Sequence, residues 1–125
     1  MINIILVALG GAFGSVARYL VGVWTLRRFG PNFPWGTLTV NIVGCFAIGL
    51  LSEVIARRLN ASPEMRLLLV TGFLGGFTTF SAFSLDVISL FERGATVAGA
   101  SYVIASVGVS LCAVFAGLAL GRAML

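Results

Sequence analysis

Apolar residues fill this chain in four long blocks, separated by short stretches rich in proline, glycine and arginine. The blocks cover Ile2 to Trp24, Trp35 to Ala56, Met65 to Phe91 and Ala95 to Gly121. Each reaches the ~20 residues that a helix needs to cross a bilayer, and none alternates as barrel strands do. The first connection, Thr25-Leu26-Arg27-Arg28-Phe29-Gly30-Pro31-Asn32-Phe33-Pro34, reads as a loop. The second, Arg57-Arg58-Leu59-Asn60-Ala61-Ser62-Pro63-Glu64, places Ser62 to cap the next helix and Pro63 to open it. Glu92-Arg93-Gly94 is a tight turn. The pattern predicts an all-α integral membrane protein, a single four-helix transmembrane domain over residues 1–125.

The third block is unlike the others. Gly72-Phe73-Leu74-Gly75-Gly76-Phe77-Thr78-Thr79-Phe80-Ser81-Ala82-Phe83-Ser84 puts glycines and hydroxyls at the depth of hydrocarbon. Backbone groups freed there persist only where protein, an ion or a water-filled path satisfies them. The stretch predicts a third helix broken near its middle, at a place that handles an ion.

Composition agrees with the class. The chain is 59% hydrophobic and 10% charged, far from the usage of a soluble domain. The first block has no basic residue before Arg18 and is longer than a signal-peptide core, so it is expected to stay in the mature protein. All eight basic residues are arginine, and the net charge is +4. With four spans both chain ends and the second connection share one side, with Arg57, Arg58, Arg66 and Arg122, against Arg27, Arg28 and Arg93 on the other. Orientation follows an excess of basic residues in cytoplasmic loops, and here the excess is slight. Two readings stay open: insertion in both orientations, which permits an antiparallel dimer, or one orientation set by local context.

Several chemistries drop out. There is no histidine, so His-based proton relays and Ser/His/Asp catalysis are impossible, and an enzyme is not expected. Cys45 and Cys112 lie inside spans at no metal-ligand spacing. Nothing points to nucleic acid.

Depth singles out the candidate residues. At ~1.5 Å of rise per residue, Arg18, Asn41, Phe83 and Tyr102 all lie roughly 8–12 Å inside the face that carries the first connection. The Asn41 amide is a donor suited to an anion, or else an interhelical bond that fastens the bundle. Phe80 and Phe83 share a helix face, as core packing or as ring edges turned toward an anion. Tyr102, Ser106 and Ser110 recur every fourth residue, a stripe that suits close packing or an ion path. Glycines in spans one, two and four let helices approach closely, and so thin a bundle leaves little interior for a pore; a dimer or larger assembly is the simpler answer.

Three segments carry a resemblance. Gly10-Gly11-Ala12-Phe13-Gly14-Ser15-Val16-Ala17-Arg18-Tyr19, Gly36-Thr37-Leu38-Thr39-Val40-Asn41-Ile42-Val43-Gly44 and the Gly72–Ser84 stretch resemble the signatures of the CrcB/Fluc fluoride channels. The likeness covers essentially the whole chain in length, span number and motif order. It implies an antiparallel, dual-topology homodimer in the bacterial inner membrane, with two pores that passively export fluoride. By motif position, Asn41 would hydrogen-bond the anion, Phe80 and Phe83 would turn ring edges to it, and Thr37, Ser81, Tyr102, Ser106 and Ser110 would extend the polar path. Arg18 would lie near an aqueous vestibule. The backbone carbonyls of Gly75 and Thr78 would hold a central sodium ion. One departure is Ala82, where many members carry threonine; it bears on conductance rather than on the type of channel.

Two other classes share the length and span number or the apolar character of this chain. A small proton-coupled multidrug exporter has similar length and span number but needs a carboxylate deep in its first span, which has none. Glu53 and Asp86 lie in spans near their ends, where snorkelling and capping explain them. A purely structural membrane subunit is the second alternative.

Overall fold

Why the chain folds as helices follows from hydrocarbon itself: with no water to pair the backbone, each span must satisfy its own peptide groups. A computed structural model describes residues 1–59 and 62–124. Asn60 and Ala61 of the second connection and Leu125 lie outside the described residues, as do the side chains of Arg58 and Leu59. The elements are α1 (Ile2–Phe29), α2 (Trp35–Val54), the π-helical π1 (Ile55–Leu59), α3 (Pro63–Arg66), π2 (Leu67–Leu74), α4 (Gly75–Phe77), α5 (Ser81–Glu92) and α6 (Thr96–Met124). Four helical stretches are long and apolar enough to cross a membrane: Ile2–Phe29, Trp35–Arg57, Pro63–Glu92 and Thr96–Met124.

Two connections are shorter than the sequence suggests. Residues Thr25 to Phe29, read as loop, continue α1. The Thr25 hydroxyl folds back onto the carbonyls of Val21 and Gly22, at 2.9 and 3.1 Å, and Arg27 and Arg28 place positive charge on the negative end of the helix dipole. The helix stops at Gly30, whose φ of +84° is open to glycine. Likewise Arg57 to Leu59, read as loop, are helical in π1.

Other boundaries follow the local signals. The Ser62 hydroxyl accepts from the Met65 N–H at 3.3 Å, and Pro63 is the first helical residue of α3. At the far end of α5, Gly94 takes φ +82°; its N–H donates to the Phe91 carbonyl and that of Ala95 to Leu90, the paired bonds of a Schellman stop.

Packing falls into two glycine-mediated pairs. α2 and α6 make the most extensive contact. A Cβ on Gly49 would collide with the Val114 carbonyl, and one on Gly117 with that of Phe46. α1 rests on the 63–77 segment in the same manner: Gly10 and Gly14 lie against the Leu68 and Phe73 carbonyls, and Gly76 against Gly11. Backbone thus meets backbone, which is how helices associate where lipid removes the hydrophobic drive between them. α5 closes the bundle on α6, and Leu38, Phe83, Leu90 and Tyr102 form a buried cluster where α2, α5 and α6 meet.

Replacing Gly117 by valine should therefore separate α2 from α6. The expected loss is at least the ~1–3 kcal/mol of an overpacked core, read as a lowered thermal midpoint in detergent; Gly22→Ala, which has open space around the new methyl, should leave that midpoint nearly unchanged.

Candidate functional site

At Thr78 the backbone leaves the helix. Its ψ of 159° is extended, and both its N–H and its hydroxyl donate to the Leu74 carbonyl, at 3.0 and 2.9 Å. The next N–H, that of Thr79, does not turn back to Gly75 but donates to Asn41 Oδ1 at 2.8 Å. In return Asn41 Nδ2 donates to the Thr79 carbonyl at 2.9 Å. Only one orientation of the amide can satisfy both bonds, so the pairing fixes which atom is oxygen. The Thr79 hydroxyl accepts from the Ala82 N–H at 3.2 Å and so caps the start of α5.

The surrounding backbone is completed from two other helices. Arg18 Nε, on α1, donates to the Gly76 carbonyl at 3.1 Å. Gly44, three residues beyond Asn41 on α2, lies under the Thr78 methyl, where any Cβ would collide with it. Among the described residues no hydrogen bond falls on the carbonyl of Gly75 or of Thr78.

These groups open on a cavity of about 370 Å³. Asn41 lines it from α2, Gly75, Thr78, Phe80 and Phe83 from the third span, and Ser106 and Ser110 from α6. The hydroxyls of Ser106 and Ser110 are buried and have no hydrogen-bond partner among the described residues. Phe80 and Phe83 stand 5.4 Å apart between centroids, with planes at 49°. Phe83 is buried, whereas Phe80 is 77% exposed on the single chain.

The remaining candidates sit elsewhere. Arg18 and Thr37 line a second cavity, of about 790 Å³, together with Asp86, Ser89 and Arg93. Tyr102 links the two: its ring lies 5.1 Å from that of Phe83, and its hydroxyl donates to Asp86 Oδ2 at 3.1 Å. Ser81 lines neither cavity; its hydroxyl lies 3.3 Å from that of Thr79.

Two carboxylates need correction. Glu53 does not snorkel: it is buried at 8% exposure and pairs with the Nε atoms of Arg57 and Arg122, each at 2.9 Å. Asp86 does not cap a helix but receives the Tyr102 hydroxyl. The four-residue spacing of Glu53 and Arg57 was visible in sequence; Arg122 was not, because only the packing of α6 on α2 brings it near. Thr79 and Cys45 were also missed. A threonine three residues before Ala82 is a capping signal that could have been read, while the place of Cys45 on the cavity wall carries no sequence signal.

Comparison with known proteins bears on this arrangement. The family model described as "CrcB-like protein, Camphor Resistance (CrcB)" matches residues 5–118. The chain belongs to the CrcB family. Among CrcB relatives, a protein of Agrobacterium fabrum is 75% identical over 98% of each chain, and one of Rhizobium leguminosarum bv. trifolii is 70% identical over 99% of each. A more distant one, of Chelativorans sp., is 55% identical over the full length of both. Each is named "Fluoride-specific ion channel FluC", a channel rather than an enzyme. With four apolar spans, this CrcB chain is a multi-pass bacterial membrane protein.

Asn41→Leu should strip the Thr79 peptide of both its partners in a nonpolar surrounding. Each orphaned group costs about 1–3 kcal/mol, so the thermal midpoint of the purified variant should drop well below that of the parent; an unchanged midpoint would mean that water takes over both bonds.

Proposed function

We propose that this chain forms a fluoride-selective channel that lets fluoride leave the cytoplasm passively, as an antiparallel dual-topology homodimer with two pores and a central sodium ion. One observation carries the reading: an amide, two aromatic rings and two unpartnered hydroxyls line a single cavity. The names of the full-length relatives supply the ion.

The chemistry of the lining suits a small anion. Dehydrating fluoride is expensive, and the cavity has to return that cost in small steps. Asn41 commits one amide hydrogen to Thr79 and keeps the other for a ligand. Ser106 and Ser110 can each donate and accept. The positive edges of the Phe80 and Phe83 rings add attraction without the deep well that a lysine would make. Arg18 and Arg93, in the larger cavity, raise the anion concentration at its mouth.

The interruption of the third span supports the sodium site. Gly75 and Thr78 line the smaller cavity, among the described residues no donor falls on their carbonyls, and unpaired oxygens are the ligands a hard cation takes. These two residues would hold it, and a second copy would complete the set of ligands. When bound, the ion supplies a fixed positive charge. The homodimer is supported by Phe80, whose ring is left uncovered beside the cavity until another chain lies against it. The near balance of arginines between the two faces suits insertion both ways.

A fluoride-electrode efflux assay on the protein reconstituted alone tests the reading, which fails if vesicles containing it retain their fluoride. Replacing Phe80 and Phe83 together by isoleucine should abolish efflux while the protein still elutes as a folded dimer. Undiminished flux would remove the rings from the pore. Ser110→Ala gives up no protein hydrogen bond among the described residues, so it should not lower the thermal midpoint while slowing efflux several-fold.

A further inference from the structure

We infer that Glu53, Arg57 and Arg122 form a binding site for the phosphodiester of an anionic membrane lipid, at the end of the bundle where α2 and α6 reach the headgroups. The two arginines are held by one carboxylate: Nε of Arg57 lies 2.9 Å from Oε2 of Glu53, and Nε of Arg122 lies 2.9 Å from Oε1. Glu53 is itself buried, its stem pressed against Gly121, where a Cβ would clash with it.

The geometry leaves the arginines half spent. Each guanidinium meets Glu53 through Nε, Arg122 with a hydrogen bond and Arg57 with an ion pair, and among the described residues no hydrogen bond falls on their Nη atoms. Their side chains are 54% and 59% exposed. Because both Nε atoms bond to one carboxylate, they stand no more than roughly 8 Å apart, each with an outward pair of N–H donors. The triad keeps one net positive charge.

A phosphate oxyanion matches this arrangement, since planar guanidinium forks bind its oxygens in pairs. The bilayer is the favoured source. The triad lies at the end of the spans Trp35–Arg57 and Thr96–Met124, the level at which phosphodiesters are most concentrated, and basic pockets between spanning helices suit anionic headgroups. None of the three residues lines either cavity, so the site is separate from the pore.

Native mass spectrometry of the purified protein, titrated with phosphatidylglycerol or phosphatidylcholine, tests this. The parent should retain phosphatidylglycerol preferentially, and Arg57→Gln with Arg122→Gln should weaken that retention roughly thirtyfold. Glu53→Gln is decisive, because it raises the local positive charge while releasing both arginines. It should weaken retention several-fold, whereas Glu64→Gln, which adds the same charge on an exposed residue, should not. Arg122→Lys, which preserves charge but not the fork, should weaken retention even if Glu53→Gln fails to fold. Equal retention of both lipids, or tighter binding by Glu53→Gln, would overturn the proposal. Displacement of phosphatidylglycerol by an equal concentration of inorganic phosphate would overturn the lipid assignment. All of these readouts are independent of fluoride flux.

Discussion

A peptide group in hydrocarbon has nowhere to turn except to other protein atoms, and this constraint governs the third span. Where the chain departs from helix at Thr78, four carbonyls and the N–H groups of Thr79 and Ala82 lose their ordinary partners. The structure answers them one at a time. Asn41 takes both sides of the Thr79 peptide, Arg18 takes the Gly76 carbonyl, and the Thr79 hydroxyl takes the Ala82 N–H. What remains, on Gly75 and Thr78, is therefore a selected residue and not a general loosening.

The same constraint explains why the donors come from α1 and α2. Both helices approach the third span closely, α1 through Gly10, Gly14 and Gly11, and α2 through Gly44. A side chain at Gly44 would lift α2 away from Thr78 and carry Asn41 out of reach of Thr79. Close packing and polar satisfaction are thus one design: the glycines set the distance and the amide and guanidinium use it.

Much of this was legible in the sequence, because block length and turn chemistry are local. The four spans, the Ser62–Pro63 start and the Gly94 turn could all be read from neighbouring residues. So could the choice of Asn41, Phe80, Phe83, Ser106 and Ser110 as polar or aromatic residues in need of a reason, and these share one cavity. The partners were not legible. That Asn41 pairs with Thr79, Arg18 with Gly76 and Glu53 with Arg122 depends on residues 38, 58 and 69 positions apart. The helix ends were also misplaced, since Arg27, Arg28 and Arg57 look like loop by composition yet lie on the last turns of helices, where their charge suits the helix dipole.

The two ends of the bundle are tied differently from its centre. At one end Glu53 joins α2 to α6 through Arg122; at the other, Arg93 reaches across to the Asn32 carbonyl and joins the third connection to the first. The break at Thr78 to Phe80 lies between these two ties and is held by its own bonds to Asn41, so losing the amide would open the cavity wall while both clamped ends stay fastened.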